Sequence, residues 1–130
     1  MADAMKLGIH ILVVDTDARA AASQVQWLRA AGYHASAAVG FQAASRRLEE
    51  QPPHLLIAPL RLGAFNGVHL VFRGRAFKPE VLALILGDVV DEGREEAKQS
   101  GALFARKPKT RRELLDLVRD MLSARTEFDS

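Results

Sequence analysis

The chain of 130 residues is 48% hydrophobic and 26% charged, which is the composition of a single globular domain. It contains no cysteine, which excludes disulfides, zinc–thiolate sites, iron–sulfur clusters and a cysteine nucleophile. A net charge of +2 with scattered arginines is too weak to indicate a nucleic-acid partner. No apolar run approaches the roughly 20 residues that cross a bilayer, and the N-terminus lacks the apolar stretch of a signal peptide. We therefore expect a cytoplasmic protein that binds neither nucleic acid nor a membrane.

Short unbroken apolar runs are typical of strands that are buried on both faces of a parallel sheet. They predict three central strands, at Ile9–Val14, Leu55–Ala58 and Val81–Leu86. Two weaker segments, Tyr33–Ala37 and Ala102–Arg106, predict strands near the sheet edges.

Segments with helical periodicity or capping signals lie between these runs. They predict five helices: Ala18–Ala31, Phe41–Glu50, Gly67–Arg75, Asp91–Ser100, and a last helix that follows the Thr110–Glu113 capping box and reaches Leu122. The alternation of strands and helices predicts an α/β fold with a doubly wound parallel sheet. We expect an N-terminal extension (1–8), one domain (9–123) that nearly fills the chain, and a frayed polar tail (124–130).

In this architecture ligands bind beyond the carboxyl ends of the strands. Asp15, Thr16 and Asp17 follow the first strand, and carboxylates there can ligate Mg²⁺. Alternatively, Asp17 caps the next helix, and Asp15 is solvated or pairs with a lysine such as Lys107. No glycine-rich phosphate loop follows this strand, which argues against nucleotide binding.

The other strand ends carry little chemistry. Pro59 ends the third strand with neither charge nor nucleophile, and Gly87 ends the fourth without a hydroxyl. Asp88 could approach Asp15, although a loop carboxylate is more often solvated. Lys107, just before Pro108, can point into the same region.

The order and spacing of these segments resemble the receiver domain of response regulators, which has a CheY-like, flavodoxin-like fold. The matching pieces, within residues 8–123, are Ile11–Asp15, Ala31–Tyr33, Pro53–Pro59, Asn66–Gly67, Leu86, Gly101–Ala102 and Lys107–Pro108. The resemblance implies a three-layer sandwich around a five-stranded parallel sheet of order 2-1-3-4-5.

The resemblance also implies a phosphorylation pocket, which this chain matches only in part. In the family, two acids after strand one hold Mg²⁺, an aspartate ending strand three accepts the phosphoryl group, a Thr or Ser ends strand four, and a lysine follows strand five. Asp15 and Lys107 match the first acid and the lysine. Thr16, Pro59 and Gly87 stand where the second acid, the phospho-acceptor and the hydroxyl residue belong.

The departures imply a degenerate receiver that is not phosphorylated on aspartate, is not an enzyme and needs no cofactor. Mg²⁺ is not expected, and only Asp15, Asp17 and Asp88 are weak candidate ligands. The family's docking face, formed by helix four, strand five and helix five, would here carry mixed charge and the aromatic switch position: Glu92, Glu95, Glu96, Phe104, Lys109, Arg111 and Arg112. A histidine kinase, another regulator or a second copy of the chain would dock there in two-component signalling.

Two other hypotheses remain open at this point. The chain could be a small enzyme or a nucleotide- or flavin-binding domain on the same scaffold, because fold alone does not decide function. It could also be a receiver that is switched by an unusual route, such as phosphorylation of Thr16 or a metal at Asp15.

Overall fold

The structure is a computed structural model that describes residues 8–87 and 93–129. Its elements in chain order are β1 (His10–Asp15), α1 (Ala18–Ala30), β2 (His34–Val39), α2 (Phe41–Glu50), β3 (Leu55–Pro59), β4 (Arg61–Leu62), β5 (Phe65–Asn66), α3 (Gly67–Phe77), β6 (Leu82–Gly87), α4 (Arg94–Gln99), β7 (Leu103–Arg106) and α5 (Arg111–Asp129). Within these ranges, no helix has the length and apolar character needed to cross a membrane.

Five strands form one parallel sheet of order β2-β1-β3-β6-β7, and β4 pairs with β5 in a separate antiparallel hairpin. The predicted order 2-1-3-4-5 is confirmed. The fourth and fifth strands of the sheet are labelled β6 and β7 only because the two hairpin strands are counted as β4 and β5. The two weakest strand predictions, which became β2 and β7, are the two edge strands. An edge strand is exposed along one side, so its sequence carries a weaker apolar signal.

The sheet is buried on both faces by alternate side chains of its central strands. Leu12, Leu56 and Ile85 belong to the core beneath α2, α3 and α4. Ile11 and Ile57, on the opposite face, belong to the core beneath α1 and α5. This two-sided burial explains why the central strands read as unbroken apolar runs.

Capping residues fix where the helices begin and end, as the sequence predicted. The Asn66 side chain accepts hydrogen bonds from the backbone amides of Val68 and His69 at the start of α3. At the end of α1, Gly32 has a φ of 104°, and the N–H of Tyr33 donates to the carbonyl of Leu28 at 3.1 Å. This closure is the Schellman arrangement, which favours glycine at the left-handed position.

The structure differs from the prediction in several places. Helix α4 runs from Arg94 to Gln99 and not from Asp91 to Ser100, since Gly93 before it has a left-handed φ of 79°, and α3 continues two residues past Arg75 to Phe77. The β4–β5 hairpin falls in a segment that was predicted to be a loop, because two-residue strands are too short to show alternation. Helix α5 continues to Asp129, so the tail predicted to fray after Leu122 is helical. Polar residues can extend a helix that an apolar face has already fixed, and periodicity does not detect such an extension.

Candidate functional site

A cleft of about 440 Å³ opens at the carboxyl edge of the sheet. The ends of β1, β3 and β6, the segment after β7, and the facing sides of α1 and α5 surround it. It brings together all five residues that the sequence analysis assigned to the pocket: Asp15, Thr16, Pro59, Gly87 and Lys107.

Asp15 is buried and its carboxylate is already engaged. Its Oδ1 accepts a hydrogen bond from the backbone amide of Asp17 at 3.0 Å, and its Oδ2 accepts one from the Gln24 side chain at 3.4 Å. Among the described residues no ion pair joins Asp15 to Lys107, so the suggested pairing is not formed. The Asp17 carboxylate accepts from the Arg19 amide at 2.9 Å and caps α1, which was the alternative reading.

The oxygen donors at this edge do not fit a magnesium site. Thr16 replaces one carboxylate with an exposed hydroxyl side chain, and Pro59 offers no side-chain oxygen. Asp88, the third weak candidate, lies outside the described residues. No cluster of three or more His, Cys, Asp or Glu side chains occurs in the parts of the chain that the structure covers. Mg²⁺ prefers near-octahedral oxygen coordination anchored by carboxylates, and among the described residues Asp15 is the carboxylate that lines the cleft.

Pro59 ends both β3 and the pairing of β3 with β1. The N–H of Leu60 donates to the carbonyl of Leu86 at 2.8 Å, so the preceding nitrogen points the other way, towards β1. The β1–β3 register ends with Val13 opposite Ile57, two residues before Pro59, whereas β1 itself continues to Asp15. Proline has no N–H to donate to β1 at this point, so the β1–β3 ladder cannot extend further.

Gly87 leaves room for the ring of Phe104. A Cβ atom added to Gly87 would lie 2.7 Å from Cζ and 2.9 Å from Cε2 of Phe104, which is closer than packed carbon atoms approach. Phe104 is half-buried and packs against the core beneath α2, α3 and α4. The aromatic side chain thus occupies the space that a hydroxyl side chain at position 87 would need.

Among the described residues, Lys107 is one of two basic residues that line the cleft, and Arg61 is the other. The backbone N–H of Lys107 donates to the carbonyl of Gly87 at 3.1 Å, which continues the β6–β7 pairing past Arg106. The Lys107 side chain is exposed, and within the described residues its ammonium has no ion-pair partner.

Sequence reasoning missed the helical walls of the cleft. Ala20, Gln24 and Trp27 line it from α1, and Leu114 lines it from α5. The α1 residues are spaced i, i+4 and i+7, which is a second helical stripe beside the core-facing stripe of α1. That spacing is the sequence signal from which this wall of the cleft could have been identified.

The described residues of the predicted docking face lie on different elements of the fold. Glu95 is exposed on α4, and the Glu96 carboxylate accepts from the Asn66 side chain at 3.4 Å. Arg111 and Arg112 line a groove of about 330 Å³ that also includes Tyr33, on the other side of the sheet. Lys109 is exposed, Phe104 packs inwards, and Glu92 lies outside the described residues. No ion pair links the described acids of α4 to these basic residues.

Comparison with known proteins supports the fold. No protein-family model and no curated protein matches the chain. Among solved structures, a CheY-like response regulator receiver domain from Methanospirillum hungatei JF-1 is 21% identical, covers 92% of this chain and 97% of its own, and superposes with a TM-score of 0.82. The signal receiver domain of a putative Luxo repressor protein from Vibrio parahaemolyticus is 20% identical, with coverages of 95% and 96% and a TM-score of 0.82.

A response regulator from Burkholderia pseudomallei, solved with a phosphorylated aspartic acid and a calcium ion, is 19% identical. It covers 94% of this chain and 73% of its own, with a TM-score of 0.77. At these identities the comparisons show the fold, and the chain has the fold of receiver domains.

Proposed function

We propose that this chain is a receiver-fold signalling domain that is not phosphorylated on aspartate and that acts by binding another protein. The observation that carries the proposal is Pro59, which ends β3 at the carboxyl edge of the sheet and lines the cleft. Aspartyl phosphorylation requires a carboxylate oxygen that attacks phosphorus, and this position has none.

The surroundings of Pro59 support the same proposal. Phosphoryl transfer also relies on a cation that neutralises developing charge, and Asp15 alone is a poor anchor for one. The Phe104 ring occupies the space that a side chain at position 87 would need. This position therefore has no hydroxyl group that would hold a phosphoryl group. The solved regulator from Burkholderia pseudomallei carries a phosphorylated aspartic acid and a calcium ion. We infer that the present chain holds neither and that it is not an enzyme.

Treatment of the folded protein with acetyl phosphate and Mg²⁺, followed by intact-mass measurement, tests this proposal. We expect no phosphoryl adduct, while a receiver domain with an intact aspartate becomes modified in the same reaction. An adduct that hydroxylamine removes would be an acyl phosphate and would refute the proposal. An adduct that resists hydroxylamine would be a phosphate ester, and it would point to a hydroxyl residue such as Thr16.

Protein binding would then be the remaining function of the fold. We propose the exposed basic start of α5, with Arg111 and Arg112, as the docking surface for a histidine kinase, another regulator or a second copy of the chain. Exposed positive side chains steer a complementary acidic surface and set its orientation. We place this activity in the cytoplasm.

Sedimentation equilibrium tests the second-copy form of this proposal. If the chain dimerises through this surface, Arg111→Glu/Arg112→Glu weakens the dimer, whereas Arg46→Glu, an exposed charge reversal on α2, leaves it unchanged. A monomer at all concentrations would show that the partner is a different protein. A dimer that neither variant weakens would refute the assignment of the surface.

The presence of the cleft is compatible with one alternative function, that of a nucleotide- or flavin-binding domain. The segment after β1 lacks a glycine-rich phosphate loop, so this alternative rests on the cavity alone. A saturable rise in melting temperature with flavin mononucleotide or ATP would favour it over protein docking.

A further inference from the structure

We propose that the cleft at the carboxyl edge of the sheet is a binding site for a small aromatic carboxylate. This inference goes beyond the proposed docking function, because it assigns a ligand to the cleft itself. Two features of the cleft carry it: an apolar wall that includes an aromatic side chain, and a lysine that has no ion-pair partner among the described residues.

The size and the walls of the cleft suit an aromatic ring. Its volume of about 440 Å³ lies within the range of about 300–1,000 Å³ that is usual for small-molecule sites. Trp27 and Leu114 form the helical wall, and Pro59 and Leu86 form part of the floor. Trp27 is half-buried, so an indole surface remains available to a flat ring at the cleft.

Lys107 favours an anionic group on the ligand. Lys107 lines the cleft together with Arg61, and its exposed side chain has no ion-pair partner among the described residues. Asp15, the buried carboxylate of the cleft, is already satisfied by hydrogen bonds from the Asp17 amide and the Gln24 side chain. A ligand carboxylate near Lys107 would therefore meet a cation whose charge is not neutralised within the described structure.

Gln24 keeps the Asp15 carboxylate occupied at the wall of the cleft. Its Nε2 donates to Asp15 Oδ2 at 3.4 Å and to the carbonyl of Ala20 at 3.3 Å, so the amide is oriented by two acceptors. Its Oε1 is buried and accepts no hydrogen bond among the described residues. A ligand in the cleft does not reach this buried oxygen, so its recognition depends on the ring and on the anionic group.

Nuclear magnetic resonance tests the proposal directly, because Trp27 is the only tryptophan of the chain and gives one indole N–H signal. The probes are naphthalene-2-carboxylate and uncharged naphthalene-2-methanol. We expect a saturable shift of the Trp27 indole signal with the carboxylate. The alcohol should bind about fivefold more weakly, because it lacks the charge that faces exposed Lys107.

Variants locate the binding. Lys107→Gln should raise the dissociation constant of naphthalene-2-carboxylate about fivefold, whereas Lys109→Gln, an exposed lysine that does not line the cleft, should leave it unchanged. Ala20→Leu should abolish binding by filling the cleft, with a dispersed backbone spectrum as the check on folding. Ser23→Leu, from an exposed position on the same wall, replaces it if Ala20→Leu does not fold.

The absence of a saturable indole shift in the folded protein would overturn the proposal. Binding that is unchanged by both Lys107→Gln and the cleft-filling variant would place the ligand elsewhere, and it would overturn the proposal as well. Either failure leaves the phosphorylation experiment unaffected, since that experiment measures a covalent adduct and not occupancy of the cleft.

Discussion

Replacing Gly87 with alanine tests whether the Phe104 ring is packed over the end of β6. The new Cβ would lie 2.7 Å from Cζ of Phe104, so the ring or the strand must move. Forcing extra carbon into packed space costs about 1–3 kcal/mol. The backbone does not oppose the change, because Gly87 is not among the glycines of positive φ. A Gly→Ala change that the backbone accepts stabilises by about 0.4–1 kcal/mol through the unfolded chain.

The steric cost and the gain through the unfolded chain oppose each other, so the effect of Gly87→Ala on stability should change sign when the Phe104 ring is removed. In the wild-type background, Gly87→Ala should lower the free energy of unfolding by about 1–2 kcal/mol, since the steric cost exceeds the gain from the unfolded chain. In a Phe104→Ala background the obstructing ring is gone, and the same change should be neutral or should stabilise by up to about 1 kcal/mol. The coupling energy of the cycle should be about 1–3 kcal/mol.

Urea unfolding followed by circular dichroism measures all four proteins of this cycle. Gly74→Ala in α3 is the matched control, because its Cβ would lie at an ordinary 3.4 Å from Leu48 Cδ2. Because Gly74 lies within a helix, Gly74→Ala should stabilise the protein by about 0.5–1 kcal/mol. Equal effects of Gly87→Ala in both backgrounds, or a stabilised single variant, would refute the proposed packing of Phe104 over Gly87.

Three further changes test the local structure around the cleft and beneath it. Gly67→Ala should destabilise by at least about 2 kcal/mol in urea unfolding, because the new Cβ would collide with the carbonyl oxygen of Pro59, a backbone atom that cannot turn aside. Asn66→Ala should cost about 1 kcal/mol in the same assay, since it removes the cap of α3. The pKa of His10 is lowered by burial and then by Arg47, so the unfolded chain takes up a proton first as pH falls below 6.5 and folding stability declines there. His10→Gln should flatten the stability profile between about pH 7 and 5, and an unchanged profile would show that His10 does not contribute to it.

The alternation of strands and helices was predictable, because the central strands are buried on both faces and the caps at Gly32 and Asn66 mark helix ends. The order of the strands in the sheet came from the resemblance to receiver domains. The β4–β5 hairpin was not predictable, because each of its strands is two residues long. Local pattern carries no information on so short a pairing.

Some features of the candidate site were likewise predictable from the sequence, and others were not. The gathering of Asp15, Pro59 and Lys107 at one edge follows from the direction of parallel strands alone. The contact of Phe104 with Gly87 depends on the register of β7 against β6, in which Phe104 lies opposite Ile85. Register across a crossover is set by packing between distant segments, and nothing in the local sequence near either residue specifies it.

The departures from the receiver pattern are physically consistent with one another. Pro59 and Gly87 both replace polar side chains with carbon or with nothing, and the Phe104 ring fills the space that Gly87 leaves. The remaining carboxylate, Asp15, is tied to the start of α1 by hydrogen bonds. The cleft has apolar walls, and the cations Lys107 and Arg61 are among its lining residues. We propose that it takes an apolar ring with a single negative charge in preference to a doubly charged phosphoryl group with its cation.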